Sequence, residues 1–277
     1  MSPNQSDTVP MVEKRPRVLV IANQKGGVGK TTTAINLGTA LAAVGAPTLL
    51  IDIDPQGNAS TGLGIARAER QLSIYEVLMG QATLQEAIQP TRIPKLSILP
   101  ATVDLSGAEV ELIGAERRNY RLKDALDNYS AHGTSPFSYA LIDCPPSLSL
   151  LTVNAMAAAD AVVVPLQCEF FALEGLSQLL NTIELVREGL NPTLELQGIV
   201  LTMFDKRNKL SDQVAADVRG HLGDKVYNTV IPRNVRISEA PSHGLPALVY
   251  DLKCSGSQAY IKLAGELIQR ERARVAA

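Results

Sequence analysis

Between a short apolar run and a helical pattern lies Asn23-Gln-Lys25-Gly26-Gly27-Val28-Gly29-Lys30-Thr31-Thr32. No other stretch restricts the fold so tightly. Strand, Gly-rich loop and helix, in that order, make the context of a phosphate-binding loop. The glycines let backbone N–H groups turn inward and approach an anion closely. The helix N-terminus adds its orphan donors and the positive end of its dipole. Lys30 is placed to reach β- and γ-phosphates, and the Thr31 hydroxyl to ligate Mg²⁺. The plain pattern G-x-x-x-x-G-K-[ST] is broken at its first position, which is Gln24. K-G-G-V-G-K-T stands instead, with an extra lysine, Lys25. Two lysines in one short loop repel each other unless a polyanion is bound. Lys25 is either a solvated loop lysine or one that serves a phosphate held by a second subunit. A Gly-rich turn without a ligand is the bland alternative, and seven matched positions in the right context weigh against it.

Continuous apolar runs recur along the chain, as in parallel strands buried on both faces. They are 18–22, 48–52, 96–99, 139–143, 161–165, 198–202 and 226–231. Helical stripes separate most of them: Ala34, Leu37, Leu41 and Val44, stopped by Gly45, and later Leu176, Leu179, Leu180, Ile183 and Val186, ended near Gly189. The expected fold is α/β, a doubly wound, mostly parallel sheet flanked by helices. Residues 1–16 are polar and aperiodic and read as a disordered lead, leaving 17–277 as a single domain. That lead has no apolar signal-peptide core and is too short for a helix-turn-helix, and no stretch approaches the length of a membrane span. Three widely spaced cysteines, Cys144, Cys168 and Cys254, form neither a disulfide framework nor a zinc site. A cytoplasmic protein is expected.

Two further motifs carry carboxylates. Asp52 and Asp54 end the second strand and point the same way. Strand C-terminal ends line the ligand crevice of an open α/β sheet. One carboxylate near Mg²⁺ and one near an attacking water is a sensible use of the pair; a turn role before Pro55 is the structural alternative. Asp143 closes a strand before Cys144-Pro-Pro146 and, beside a phosphate loop, becomes the Walker-B-type residue at Mg²⁺. The net charge is −2, so nucleic-acid binding would need a local patch. Between Met203 and Arg236, seven basic residues stand against four acids, a local excess of three. With no Trp and 4% aromatics, a stacking platform for single strands is unlooked for.

The chain resembles the ParA/MinD group of deviant Walker-A ATPases, P-loop NTPases, and within it the Soj-like partition proteins. The resemblance runs from about Val18 to the C-terminal helix. It rests on the KGGVGKTT loop, on Asp52-Ile-Asp54-Pro-Gln-Gly-Asn-Ala59, on Asp143-Cys-Pro-Pro146 and on Pro232-Arg-Asn-Val-Arg-Ile-Ser-Glu-Ala-Pro-Ser242. It implies an Mg²⁺-dependent ATPase, weak alone. ATP would drive a homodimer in which Lys25 and Lys30 act on phosphates, Lys25 those of the partner subunit, and Asp54 orients water. Residues 25–32 would bind the nucleotide, and Pro232 and Asn234 would cradle adenine. Thr31, Asp52 and Asp143 would surround Mg²⁺. Arg207, Arg233 and Arg236 would contact double-stranded DNA without reading its sequence, placing the protein on the nucleoid. A ParB-type centromere-binding partner would trigger hydrolysis and so move cargo.

Three alternatives use the same loop. A MinD-like membrane-associated regulator needs a lipid-facing C-terminal helix; Ile261, Leu263, Leu267 and Ile268 could form its stripe, but core packing explains them better. An iron–sulfur ATPase needs cysteine spacings that are missing. A metabolic ligase needs an acceptor site that no motif suggests.

Overall fold

The computed structural model describes residues 15–131, 133, 135–169 and 172–276. The expected lead therefore lies outside the described residues, except Arg15 and Pro16. Arg15 pairs with Asp160 and lies 3.6 Å from Asp127.

The strands are β1 (Arg17–Ile21), β2 (Thr48–Asp52), β3 (Gln89–Pro90), β4 (Leu96–Leu99), β5 (Tyr139–Asp143), β6 (Ala161–Gln167) and β7 (Glu195–Thr202). They form one sheet in the order β3-β4-β2-β5-β1-β6-β7. Every pairing is parallel except β3 with β4. The helices are α1 (Lys30–Ala43), α2 (Asn58–Gly62), α3 (Ile74–Met79), α4 (Leu84–Ala87), α5 (Leu105–Glu111), α6 (Arg121–Ala131), α7 (Leu150–Ala158), α8 (Ala172–Gly189), α9 (Lys209–Leu222), α10 (Val235–Glu239), α11 (Ala247–Tyr250) and α12 (Ser255–Ala276).

Successive strand side chains point to opposite faces, so a strand buried on both faces supplies two cores. In β1, Val18 and Val20 join the core that includes α6, α7 and α8, while Leu19 and Ile21 join the one under α1 and α12. Leu37 and Leu41 of α1 meet Leu263 and Leu267 of α12 there, all fully buried. Val44, expected in the α1 stripe, is exposed at the C-cap instead, because Gly45 turns the chain there with φ 92°.

One expected strand is absent. Residues 226–231 make isolated bridges, Ile199 with Val226 and Phe204 with Pro232. Tyr227 and Ile231 donate to β7, but the intervening Asn228 and Thr229 amides donate to the Glu266 carboxylate of α12, at 2.8 and 2.9 Å. A side chain has taken the place of the neighbouring strand. β3, two residues ending in a proline, carries no pattern that sequence could reveal.

Candidate nucleotide site and basic groove

The phosphate loop leaves β1 and ends on α1, whose N-cap is Gly29. Gly27 and Gly29 adopt φ 75° and 89°, the left-handed region that costs a side chain steric strain. A Cβ on Gly26 or Gly27 would meet nothing within 4 Å, so the cradle above the loop is open. Asn23 holds its base: its Nδ2 donates to the Pro165 carbonyl at 2.7 Å, and its Oδ1 accepts from the Lys25 amide at 3.0 Å. The Thr202 hydroxyl donates to the Val28 carbonyl at 2.8 Å and fixes the other side to β7. Among the described residues, no side chain caps the first turn of α1, which leaves its orphan amides to a ligand.

The two loop lysines are placed differently. Lys30 is buried, and its Nζ donates to the Lys25 carbonyl at 3.2 Å. Burial pulls its pKa down, opposed by Asp143, Cys144 and Asp54. Lys25 is half-exposed and pairs with Glu169 at 2.5 Å.

The parallel register sets Asp52 directly beside Asp143. Both are fully buried, and they differ in partners. Asp52 Oδ2 accepts from the Ser60 amide at 2.8 Å and the Ser60 hydroxyl at 2.7 Å, and Oδ1 accepts from the Asp54 amide at 3.3 Å. Burial still raises its carboxyl to about 6, against the Ser60 bonds that lower it. Neither oxygen of Asp143 has a hydrogen-bond partner. Its pKa is raised well above the usual carboxylate range, first by burial and then by Asp52; the nearby Thr31 hydroxyl and Lys30 oppose this. Two buried, unpartnered carboxylate oxygens are costly unless a cation answers them. With Thr31 alongside, Asp143 offers the hard oxygen chemistry that suits Mg²⁺, which takes one or two protein ligands plus substrate phosphates. The residues present fit that ion.

Asp54 stands at the mouth of this cluster, 7% exposed. Its Oδ1 accepts from the Gln56 amide at 3.0 Å and its carbonyl from the Gly57 amide at 2.9 Å, so a tight turn fixes it. Cys144 is buried, and burial raises its thiol far up, which makes it an inert packing residue. Among the described residues, no three His, Cys, Asp or Glu side chains gather as a metal cluster.

A cavity of about 420 Å³ opens between Gly29 and Thr32 on one side and Met203, Pro232 and Asn234 on the other. The sequence-derived pair Pro232 and Asn234 therefore lies against the phosphate loop. Asn234 Oδ1 caps α10 through the Arg236 amide at 2.9 Å, and its Nδ2 donates to Ser255 at 3.0 Å. Met203 holds φ 50°, a strained value for a non-glycine, where β7 ends at this cavity.

Across the Pro232–Arg233 segment lies a second cavity, of about 920 Å³, lined by Lys206, Arg207, Arg233 and Lys262 with Asp205. Lys262 comes from α12 and is far from the others in sequence, so no spacing connects them. Arg207 and Arg233 thus come together. Arg236 does not; it pairs with Glu239 at 3.0 Å and approaches Asp251 at 3.7 Å. Arg207 is 88% exposed and bound by Asp205 at 2.8 Å.

On α12, Ile261 and Ile268 are partly buried against the α1 side of the core, beside the fully buried Leu263 and Leu267. Among the described residues, no helix is long and apolar enough to cross a membrane.

Comparison with known proteins places these features in a lineage. A family model described as an AAA domain matches residues 16–196. The chromosome partitioning protein ParA of Caulobacter vibrioides is 68% identical over 260 residues, 94% of this chain and 97% of that protein. The sporulation initiation inhibitor protein Soj of Bacillus subtilis is 51% identical over 251 residues, covering 91% and 98%. Among solved structures, a cobyrinic acid a,c-diamide synthase from Mycobacterium smegmatis with bound ADP and magnesium superposes with a TM-score of 0.81 at 38% identity, covering 93% of this chain and 96% of that one.

Proposed function

This chain belongs to the AAA-domain family of ParA and Soj chromosome-partitioning ATPases, and from that premise we propose that it is an Mg²⁺-dependent ATPase that binds DNA non-specifically as an ATP-bound dimer. The observation that carries the proposal is the shared wall. Pro232 and Arg233 line both the cavity beside the phosphate loop and the basic groove.

Residues 25–32 cradle the phosphates, with backbone amides and Lys30 as donors. The base occupies the cavity between Gly29 and Pro232, with Asn234 beside it. Thr31 and Asp143 would hold Mg²⁺, and Asp52 stands beside them, held by Ser60. When bound, the ion neutralises charge on the phosphate oxygens. Asp54, fixed by its turn, orients the water that attacks the γ-phosphate. Lys25 leaves Glu169 for phosphates held by a second copy of the chain, which ties dimerisation to ATP. Lys206, Arg207, Arg233 and Lys262 then contact the DNA backbone, contacts that carry no sequence information. Arg236 contributes less, being held by Glu239 and Asp251. A ParB-type protein bound at the centromere stimulates hydrolysis and releases the dimer from the nucleoid.

A ligase reading draws on the diamide synthase likeness. The 68% identity to a partition protein outweighs it. A membrane-bound regulator would need the apolar face of α12, which α1 covers.

The test is binding to a random-sequence duplex with ATP, ADP or no nucleotide at two salt concentrations. Binding that is much tighter with ATP than with ADP or no nucleotide, and that weakens with salt, is the expected result. Equal binding in all three states, or none with ATP, overturns the DNA-carrier function.

A further inference from the structure

Arg70 is 6% exposed, and none of the acids in the described residues forms a salt bridge with it. A buried guanidinium costs stability unless its donors are met. Here the backbone meets them. Nε and Nη2 donate to the Ile65 carbonyl at 3.2 and 2.8 Å. Nη1 donates to the carbonyls of Ala101 at 3.1 Å and Gly57 at 3.4 Å, and Nη2 to the Thr61 hydroxyl at 2.8 Å. One planar fork therefore ties the loop after β2 to the segment after β4.

Gly57, the near end of that fork, closes the turn that begins at Asp54. It has φ 62°, and a Cβ there would stand 2.4 Å from Arg70 Nη1 and 3.0 Å from the Ala101 carbonyl. Thr61 donates in turn to the Gly57 carbonyl at 3.0 Å. The far end of the network is Asp52. Asp52 holds Ser60, and the Ser60 hydroxyl accepts from the Ala101 amide at 3.1 Å. Ala101 is thus gripped twice, by Ser60 at its amide and by Arg70 at its carbonyl. Asp52 is also the acid that steadies the charge on Arg70. Asp52, Ser60, Ala101, Arg70 and Gly57 form a buried ladder behind the turn that carries Asp54.

We propose that Arg70 is a positioning residue for hydrolysis, holding the Asp54–Gly57 turn so that the Asp54 carboxylate keeps its place at the mouth of the site. This rests on the reading that Asp54 orients water. Arg70 lines neither cavity beside the loop, so its loss acts on turnover and leaves nucleotide affinity alone. Lysine cannot replace it, because a point charge with three donors cannot bridge acceptors set around a planar fork.

The experiment measures ATP turnover, affinity for a fluorescent ATP analogue and thermal unfolding for Arg70→Lys, Arg70→Met and Thr61→Val. Each is made alone and combined with Asp54→Ala. Expected is a fall in kcat of at least about tenfold for the Arg70 variants, with affinity within about threefold. Thr61→Val should lower kcat by about threefold, since it removes one acceptor of the fork. In the Asp54→Ala background, the Arg70 changes should lower the residual rate no further, because they act through the residue already lost. Folded Arg70 variants with wild-type kcat, or losses that multiply with Asp54→Ala, overturn the proposal. If neither Arg70 variant folds, Thr61→Val decides, and an unchanged kcat there overturns it. If Asp54→Ala alone hydrolyses ATP at the wild-type rate, the role given to Asp54 fails, and that of Arg70 with it.

Discussion

Asp52 and Asp143 occupy register positions side by side, yet their surroundings divide their work. Asp143 has two buried oxygens without a partner, so its ionised form waits for a cation. Asp143→Asn should therefore weaken nucleotide binding by about 10–100-fold in the presence of Mg²⁺ and leave binding in EDTA unchanged. Titration calorimetry with and without the ion checks this. Asp52 makes the opposite case, since Ser60 and the Asp54 amide answer both oxygens. Burial raises its carboxyl to about 6 in the folded chain, against an ordinary value of 3.8. Between those values the folded state binds the proton more tightly than the unfolded one. Stability is thus highest on the acid side and is lost as pH rises through about 6. Relative to Asp52→Asn, the nucleotide-free wild type should lose of the order of 1–3 kcal/mol between about pH 4.5 and 7.5. Denaturant unfolding of both proteins at each pH checks it, and a constant difference would refute the assignment. Both acids were legible as strand-end carboxylates. Which one is satisfied was not, because Ser60 reaches Asp52 through a turn that no periodicity reports.

At the scale of elements, the chain wrote its sheet plainly where strands are buried on both faces. The runs 48–52, 96–99 and 139–143 are β2, β4 and β5 to the residue. Each is a short, mostly apolar run that ends in an aspartate or is followed by a proline. The run 226–231 carries Asn228 and Thr229 in its middle and fails as a strand because Glu266, on another element, takes their amides. The basic groove was half legible for the same reason: Lys206, Arg207 and Arg233 lie in one stretch, and Lys262 enters from α12. That helix also decides the membrane question. Its Leu263 and Leu267 are fully buried in the core shared with α1, so Leu263→Ala should destabilise the fold by about 2–5 kcal/mol, as a core deletion does. The wild type should not sediment with anionic liposomes in any nucleotide state. A neutral effect of Leu263→Ala, together with ATP-dependent liposome binding, would mean that α12 leaves the core for lipid.

For the whole molecule the governing quantity is charge. A chain of net charge −2 has no global attraction to DNA, so the DNA binding proposed above would have to come from the groove formed by Lys206, Arg207, Arg233 and Lys262. Asp205 already engages Arg207, which leaves three or four cations per copy to displace counterions. Each phosphate contact adds about −0.9 to the slope of log K against log salt, so one copy gives about −3 and two copies on one duplex about −6. On the proposed function, a slope of about −3 belongs to one copy on the duplex and a doubled slope to an ATP-bound pair. The slope should therefore double between the ADP and ATP states. Lys25→Ala keeps Lys30 and the loop glycines, so it should bind ATP as the wild type does. Its Lys25–Glu169 pair is half-exposed and contributes little to stability, so the fold should be unaffected. In the proposed dimer it would lack the reach into a second copy, and its slope should stay at about −3 even with ATP. Fluorescence anisotropy on one duplex across a salt series reads both quantities. A Lys25→Ala slope that doubles with ATP would show that dimerisation does not pass through this lysine, whatever the wild type does.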